Sequence, residues 1–238
     1  MRRSATPFMV LVLLVRVAAA QAPYRATWWD GASIIAAGTL GAIPHLAGLP
    51  NGPPPCGNPA PCDPASLSGF DRIALHNFSG TAGTVSTVGL VGVVGFTGLA
   101  SLEGTTPAQA RGDAAVFANA IGWTFAATEW VKALTHRSRP VLYTAAAPTE
   151  ATNVDNRRSF PSGHASVAFA AATSYVVMAG RERLPHRTRN AVIAYGAALG
   201  VAVLRVSAGK HFPTDVIGGA ALGSGIGWLA AAVHPRAP

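Results

Sequence analysis

Apolar residues fall in long blocks almost free of charge along this 238-residue chain, and charged residues gather between them. After a first apolar run, Phe8 to Val15, the blocks are Ser33 to Leu49, Ile73 to Leu102, Ala114 to Val131, Pro161 to Gly180, Asn190 to Leu204 and Val216 to Val233. The 30 residues from Ile73 to Leu102 carry no charge at all, which is enough helix to cross a bilayer. Blocks of this length read as helices, and their Ala, Gly and Ser content points to close helix–helix packing. No run in the second half alternates apolar and polar residues between turn signals, as a strand would. The pattern predicts an all-α bundle of about six helices, forming one domain over residues 23–238.

Composition moves this bundle toward a membrane. Half the residues are hydrophobic and 12% are charged, against about 25% in an ordinary soluble domain. Several blocks are shorter than the ~20 residues of a clear span, so a soluble bundle with buried Ala-rich helices stays open. The net charge of +8 suits anionic ligands or lipid head groups. Nucleic acid is not expected as a partner, because the basic residues are scattered between apolar runs instead of forming a stripe.

Arg181, Arg183, Arg187 and Arg189 crowd one short connection, which by the positive-inside rule faces the cytoplasm. That puts residues 136–162 and 205–215 outside with Cys56 and Cys62, puts the Glu103–Asp113 connection inside, and requires the stretch 33–49 not to cross as a full span. Residues 1–22 have the shape of an export signal: Arg2 and Arg3, an apolar run, then Ala18-Ala19-Ala20-Gln21-Ala22. Cleavage after Ala20 or Ala22 competes with an uncleaved signal anchor, because Arg16 interrupts the end of the run. Export makes a Cys56–Cys62 disulfide the natural pairing, worth about 2 kcal/mol for so short a loop. Two cysteines without a His or acidic cluster do not complete a zinc site, and no metal is assigned.

Three clusters at the ends of apolar helices carry candidate chemistry. In the first, Lys132 is followed after six residues by Arg139-Pro140; alone, basic residues there also complement a helix C-terminus. The second is Ser159-Phe160-Pro161-Ser162-Gly163-His164, opening the block that ends at Gly180. Ser162 suits a helix N-cap, Gly163 lets a ligand approach the backbone, and free amides at a helix start bind anions. His164 would face the same anion and donate a proton to a leaving oxygen. The third runs from Arg205 through Lys210-His211 to Asp215, where a carboxylate four residues after an imidazole can fix its tautomer and free the other nitrogen as a nucleophile. Glu129 lies one turn before Lys132 and is placed to pair with it. Arg157 and Arg158 read as a solvated basic loop, and the remaining histidines receive no role.

Together, Lys132-x6-Arg139-Pro140, Pro161-Ser162-Gly163-His164 and Arg205-x5-His211-x3-Asp215 resemble the three-part signature of the type 2 phosphatidic acid phosphatase (PAP2) superfamily, over about a third of the chain. The family usually has Ser or another small residue before the third-motif Arg, where this chain has Leu204. The resemblance implies a PAP2-type helical bundle and a phosphatase with no cofactor. His211 would be the nucleophile, Asp215 its orienting partner and His164 the acid, while Lys132, Arg139, Ser162, Gly163 and Arg205 would bind phosphate. Similar six-helix members act on lipid phosphates or diphosphates at the outer face of a bacterial inner membrane, so membrane lipids become the expected partners. A soluble periplasmic acid phosphatase taking small phosphate esters is the alternative. A vanadium-dependent haloperoxidase shares the motifs, but the chain is short for one. The oligomeric state is left open.

Overall fold

The computed structural model describes residues 23–236 except Pro55. The export signal expected at residues 1–22 lies outside that range. Six long helices make up the bundle: α1 (Trp28–Leu46), α3 (Gly80–Ala100), α4 (Pro107–Thr135), α6 (Gly163–Glu182), α7 (Arg187–Ser207) and α8 (Pro213–Val233). Single-turn helices α2 (Gly69–Arg72) and α5 (Ala147–Glu150), with several 3-10 turns, fill the connections at one end. Among the described residues there is no strand beyond one isolated bridge, Tyr24 with Arg236.

Local chemistry starts each helix where the chain begins to turn. Thr27 with Asp30 and Thr106 with Gln109 form capping boxes for α1 and α4, and the Ser79 hydroxyl accepts from the Ala82 amide at α3. Pro213 stands in the first turn of α8, where its missing N–H costs nothing.

The most extensive helix pair is α6 with α8, and it is made by absence of side chain. Gly219, Gly223 and Gly227 lie one turn apart along α8. A Cβ on Gly223 would sit 1.9 Å from the Ser166 carbonyl oxygen, and one on Gly227 would sit 2.6 Å from that of Ala170. Backbone thus packs on backbone, the device small residues provide between apolar helices. Helix α6 is the centre of the bundle, with α3, α4, α7 and α8 all packed on it.

The stretch 33–49 falls mostly in α1, which is 19 residues long, packs along α4 and is not among the described helices long and apolar enough to cross a membrane. Pro44 falls in the last turn of α1, and the Leu40 carbonyl that its missing N–H would leave open accepts from the Trp130 indole at 2.9 Å. The start of α1 lies beside the end of α6, since the Tyr24 amide donates to Glu182 and Arg181 to the Tyr24 hydroxyl. The Arg-rich connection and the start of α1 therefore share one end of the bundle. Residues 136–162 and 205–215 gather at the other, together with the Cys56–Cys62 disulfide, which packs near Leu142 and Ala151.

Among the described residues three helices, α3, α7 and α8, are long and apolar enough to cross a membrane. Their large side chains point away from the bundle: Val85, Val88, Val91 and Leu99 on α3, Val192, Leu199 and Val203 on α7, and Ile217, Trp228 and Val233 on α8 are all exposed.

Candidate active site

Four helix ends meet opposite the Arg-rich connection: the last turns of α4 and α7 and the first turns of α6 and α8. They bring the three sequence clusters together. The Ser162 hydroxyl caps α6 through the Ala165 amide, at 3.5 Å, and its own amide donates to the Asp215 carbonyl, tying the start of α6 to α8. Ser162 is fully buried, so its hydroxyl serves the cap in this structure. Gly163 lies close against Lys132: a Cβ there would sit 3.2 Å from Nζ and would make the ammonium give way by a few tenths of an ångström. The ammonium thus rests against the α6 N-terminus, where free amides and the helix dipole favour an anion.

The other cations are Arg139, just past α4, and Arg205, in the last turn of α7; both are buried. Nε of each is buried and has no hydrogen-bond partner. Nε of Arg157 and Arg158 is buried without a partner as well, but Arg139 and Arg205 are the two of these arginines that act electrostatically on His164, where an oxyanion would satisfy them. His164 lies within electrostatic reach of Arg205, Lys132 and Arg139, and its Nε2 is 3.1 Å from the Thr87 hydroxyl of α3.

His211 occupies the turn between α7 and α8 and is nearly fully buried. Its Nδ1 lies 2.8 Å from the Ser159 carbonyl oxygen, whereas the Asp215 carboxylate is 3.6 Å away. A carbonyl only accepts, so it holds the proton on Nδ1 and leaves Nε2 with a lone pair. Burial, reinforced by the Arg139 and Arg205 charges, brings the His211 pKa down to about 3 against the opposing pull of Asp215. The imidazole is therefore neutral at neutral pH.

Asp215 works chiefly as a hub. Its Oδ2 accepts from the Ser159 hydroxyl at 2.5 Å and the Phe212 amide at 2.8 Å, and its Oδ1 accepts from Arg137 at 2.5 Å. These bonds hold the His211 turn and the Ser159 carbonyl in one frame. Arg137 in turn reaches Asp71 of α2 at 2.7 Å and stacks over the Phe212 ring, while Asp71 accepts from the Thr214 amide.

Several contributors escape the motif reading. Arg157 and Arg158 are buried, not solvated: Arg158 bonds Glu129, and Arg157 bonds the Gly52 carbonyl in the Pro-rich loop. Both had looked like part of a polar loop because nothing local in Arg157-Arg158 marks a distant partner. Glu129 does pair with Lys132, at 2.7 Å, and so joins two cations. His45, left without a role, lies 3.3 Å from Arg158. Asp71 and Arg137 stand 66 positions apart, and no spacing rule connects them.

A cavity of about 490 Å³ opens beside these groups, between the start of α3 and the end of α7, and is lined in part by Gly83, Thr84, Thr87, Arg205 and Lys210. A second of similar size, about 480 Å³, lies between α1, α4 and α8 and touches none of the three clusters. Shape does not choose between them, but of the two only the first is lined by residues of the clusters, Arg205 and Lys210, while Arg139 lines a smaller cavity of about 100 Å³ that also reaches Lys210.

No curated protein and no solved structure matches the chain. Residues 113–238, more than half of the chain and all three clusters, match the family model of the PAP2 superfamily, whose activity is of the phosphatase type. The chain is a member of the PAP2 superfamily.

Proposed function

We propose that this protein is a phosphatase hydrolysing the phosphate ester of a lipid through a phosphohistidine. The observation that carries the reading is the convergence of Lys132, Arg139 and Arg205 on the α6 N-terminus beside His164 and His211. A phosphate monoester brings about two negative charges, and three cations with helix amides balance that charge as it redistributes in the transition state. Nε2 of His211 attacks phosphorus. The P–O bond to the alcohol breaks, and His164 gives the leaving oxygen its proton. Burial and the charges of Arg205, Lys132 and Arg139 hold the His164 pKa down to about 4 in the empty site, and the bound phosphate dianion offsets those charges so that the imidazole can carry that proton. Water then gives a proton to His164 and attacks the phosphohistidine, releasing inorganic phosphate and restoring His211. Asp215 and the Ser159 carbonyl hold His211 in the attacking tautomer.

The lipid assignment rests on the outward apolar faces of α3, α7 and α8, the first two of which flank the cavity at Thr87 and Arg205. With the Arg-rich connection in the cytoplasm, the site and the disulfide face the exported side, which suits an oxidised cysteine pair. In that orientation α1 starts from the cytoplasmic side, which argues against a signal cleaved on the outer side just before it. A soluble periplasmic acid phosphatase is the second reading, favoured by the signal-like pattern of residues 1–22.

Phosphate release from a long-chain lipid phosphate and from a short soluble monoester tests both, using detergent-extracted protein. His211→Ala should lower turnover by about 10⁴-fold or more. Preference for the lipid supports the first reading, equal or better use of the soluble ester supports the second, and full activity of His211→Ala removes the mechanism.

A further inference from the structure

The cation pocket already holds a carboxylate. Asp155 stands on the 3-10 turn Val154–Arg157, with Oδ2 2.9 Å from Nη2 of Arg139. The Asp155 side chain is 55% exposed and that of Arg139 only 9%. The same carboxylate is within electrostatic reach of Lys132 and Arg205, and thus of every cation expected to bind phosphate. Nearby acids are committed elsewhere: Glu129 to Lys132 and Arg158, Asp215 to Arg137, Ser159 and the Phe212 amide. Asp155 alone pairs with a phosphate-binding arginine.

The contact lies on the edge of the guanidinium that matters. A bidentate oxyanion takes two adjacent N–H groups, and Nε of Arg139 is buried without a partner while the neighbouring Nη2 is held by Asp155. Phosphate therefore cannot use the Nε–Nη2 edge until the carboxylate moves. Asp155 can move at little cost, because it is half in water and its turn lies on the surface side of the pocket.

Resting on the phosphatase reading, we propose that Asp155 is a built-in competitor for phosphate on Arg139, occupying the arginine edge in the empty site and returning to it as product leaves. Product phosphate meets the same three cations as the substrate ester, and because Glu129 offsets only Lys132, a site with no carboxylate on its arginines would retain it. A tethered carboxylate lowers affinity for both ligands and speeds clearance of the pocket. The opposite role for the same contact, steadying Arg139 for its ligand, predicts the opposite sign.

Sign is what the experiment reads. Inorganic phosphate is titrated calorimetrically into the full-length protein, wild type against Asp155→Asn and Asp155→Ala, and its competitive inhibition of a soluble monoester is measured in parallel. The expected result is phosphate binding and inhibition tighter by about fivefold in both variants, with KM falling in proportion. Unchanged or weaker phosphate binding in both overturns the proposal and makes Asp155 a support for Arg139. The phosphatase reading fails separately, through absence of His211-dependent phosphate release, and the binding measurement does not depend on turnover.

Discussion

Helices α3 and α6 are nearly equal in length, 21 and 20 residues, yet they do opposite work. α3 is long and apolar enough to span a membrane and has most of its surface turned outward, with valines and leucines exposed. α6 does not reach that apolarity, but it is the most enclosed helix, buried through Ala165, Ser166, Ala168, Ala170 through Tyr175, Met178 and Ala179. Hydropathy here marks what faces the surroundings, and small side chains mark what faces other helices. A large apolar side chain gains by facing lipid or another apolar surface, while Ala, Gly and Ser gain by letting backbones approach. The chemistry sits on the enclosed helix because four neighbours fix where its first turn points.

The strongest way to break this contrast is at the α6–α8 seam. Gly223→Leu puts a side chain where even a Cβ would meet the Ser166 carbonyl oxygen, and should cost about 3 kcal/mol with loss of activity. Thermal unfolding in detergent checks it, and a variant as stable as wild type would mean the seam is looser than described.

Next in size is a pH effect from His211 at the rim of that seam, since α3 contains no ionisable residue to oppose it. The folded pKa of about 3 lies below the ordinary imidazole value near 6.5, so between these limits the unfolded chain binds a proton that the native site refuses. Stability should therefore fall as pH drops from about 6.5 toward 3, by up to about 1.4 kcal/mol per pH unit from this group. Urea unfolding at several pH values should show a shallower acid decline in His211→Gln; an identical decline would contradict a neutral buried imidazole.

Smaller effects come from α3. Its direct contribution to the proposed catalytic pair is the Thr87 hydroxyl on His164, and Thr87→Val should slow esters with poor leaving groups about fivefold while sparing those with good ones. One position further, Val88→Ala on the outward face should change stability by no more than about 0.5 kcal/mol in detergent. A larger loss would place Val88 in a contact between copies of the chain.

The three motif clusters were legible because each is local: Lys132 to Arg139, Pro161 to His164 and Arg205 to Asp215 each lie within about three helical turns. The six helices were equally legible from their charge-free blocks. The fate of α1 was not, because Pro44 and the shortness of the block said nothing of α4, along which it packs. Nor was the Arg158–Glu129 pair, whose members stand 29 positions apart.

By itself, the sequence determined the helices and the kinds of group available at their ends, since hydrophobic runs, caps and motif spacing act over a few residues. Tertiary structure alone decided that the Ser159 carbonyl holds His211, that Asp71 and Asp215 share Arg137, and that Asp155 rests on Arg139. Those contacts join segments far apart in sequence, and no spacing along the chain brings them together; only the packing of the helices and their connections does.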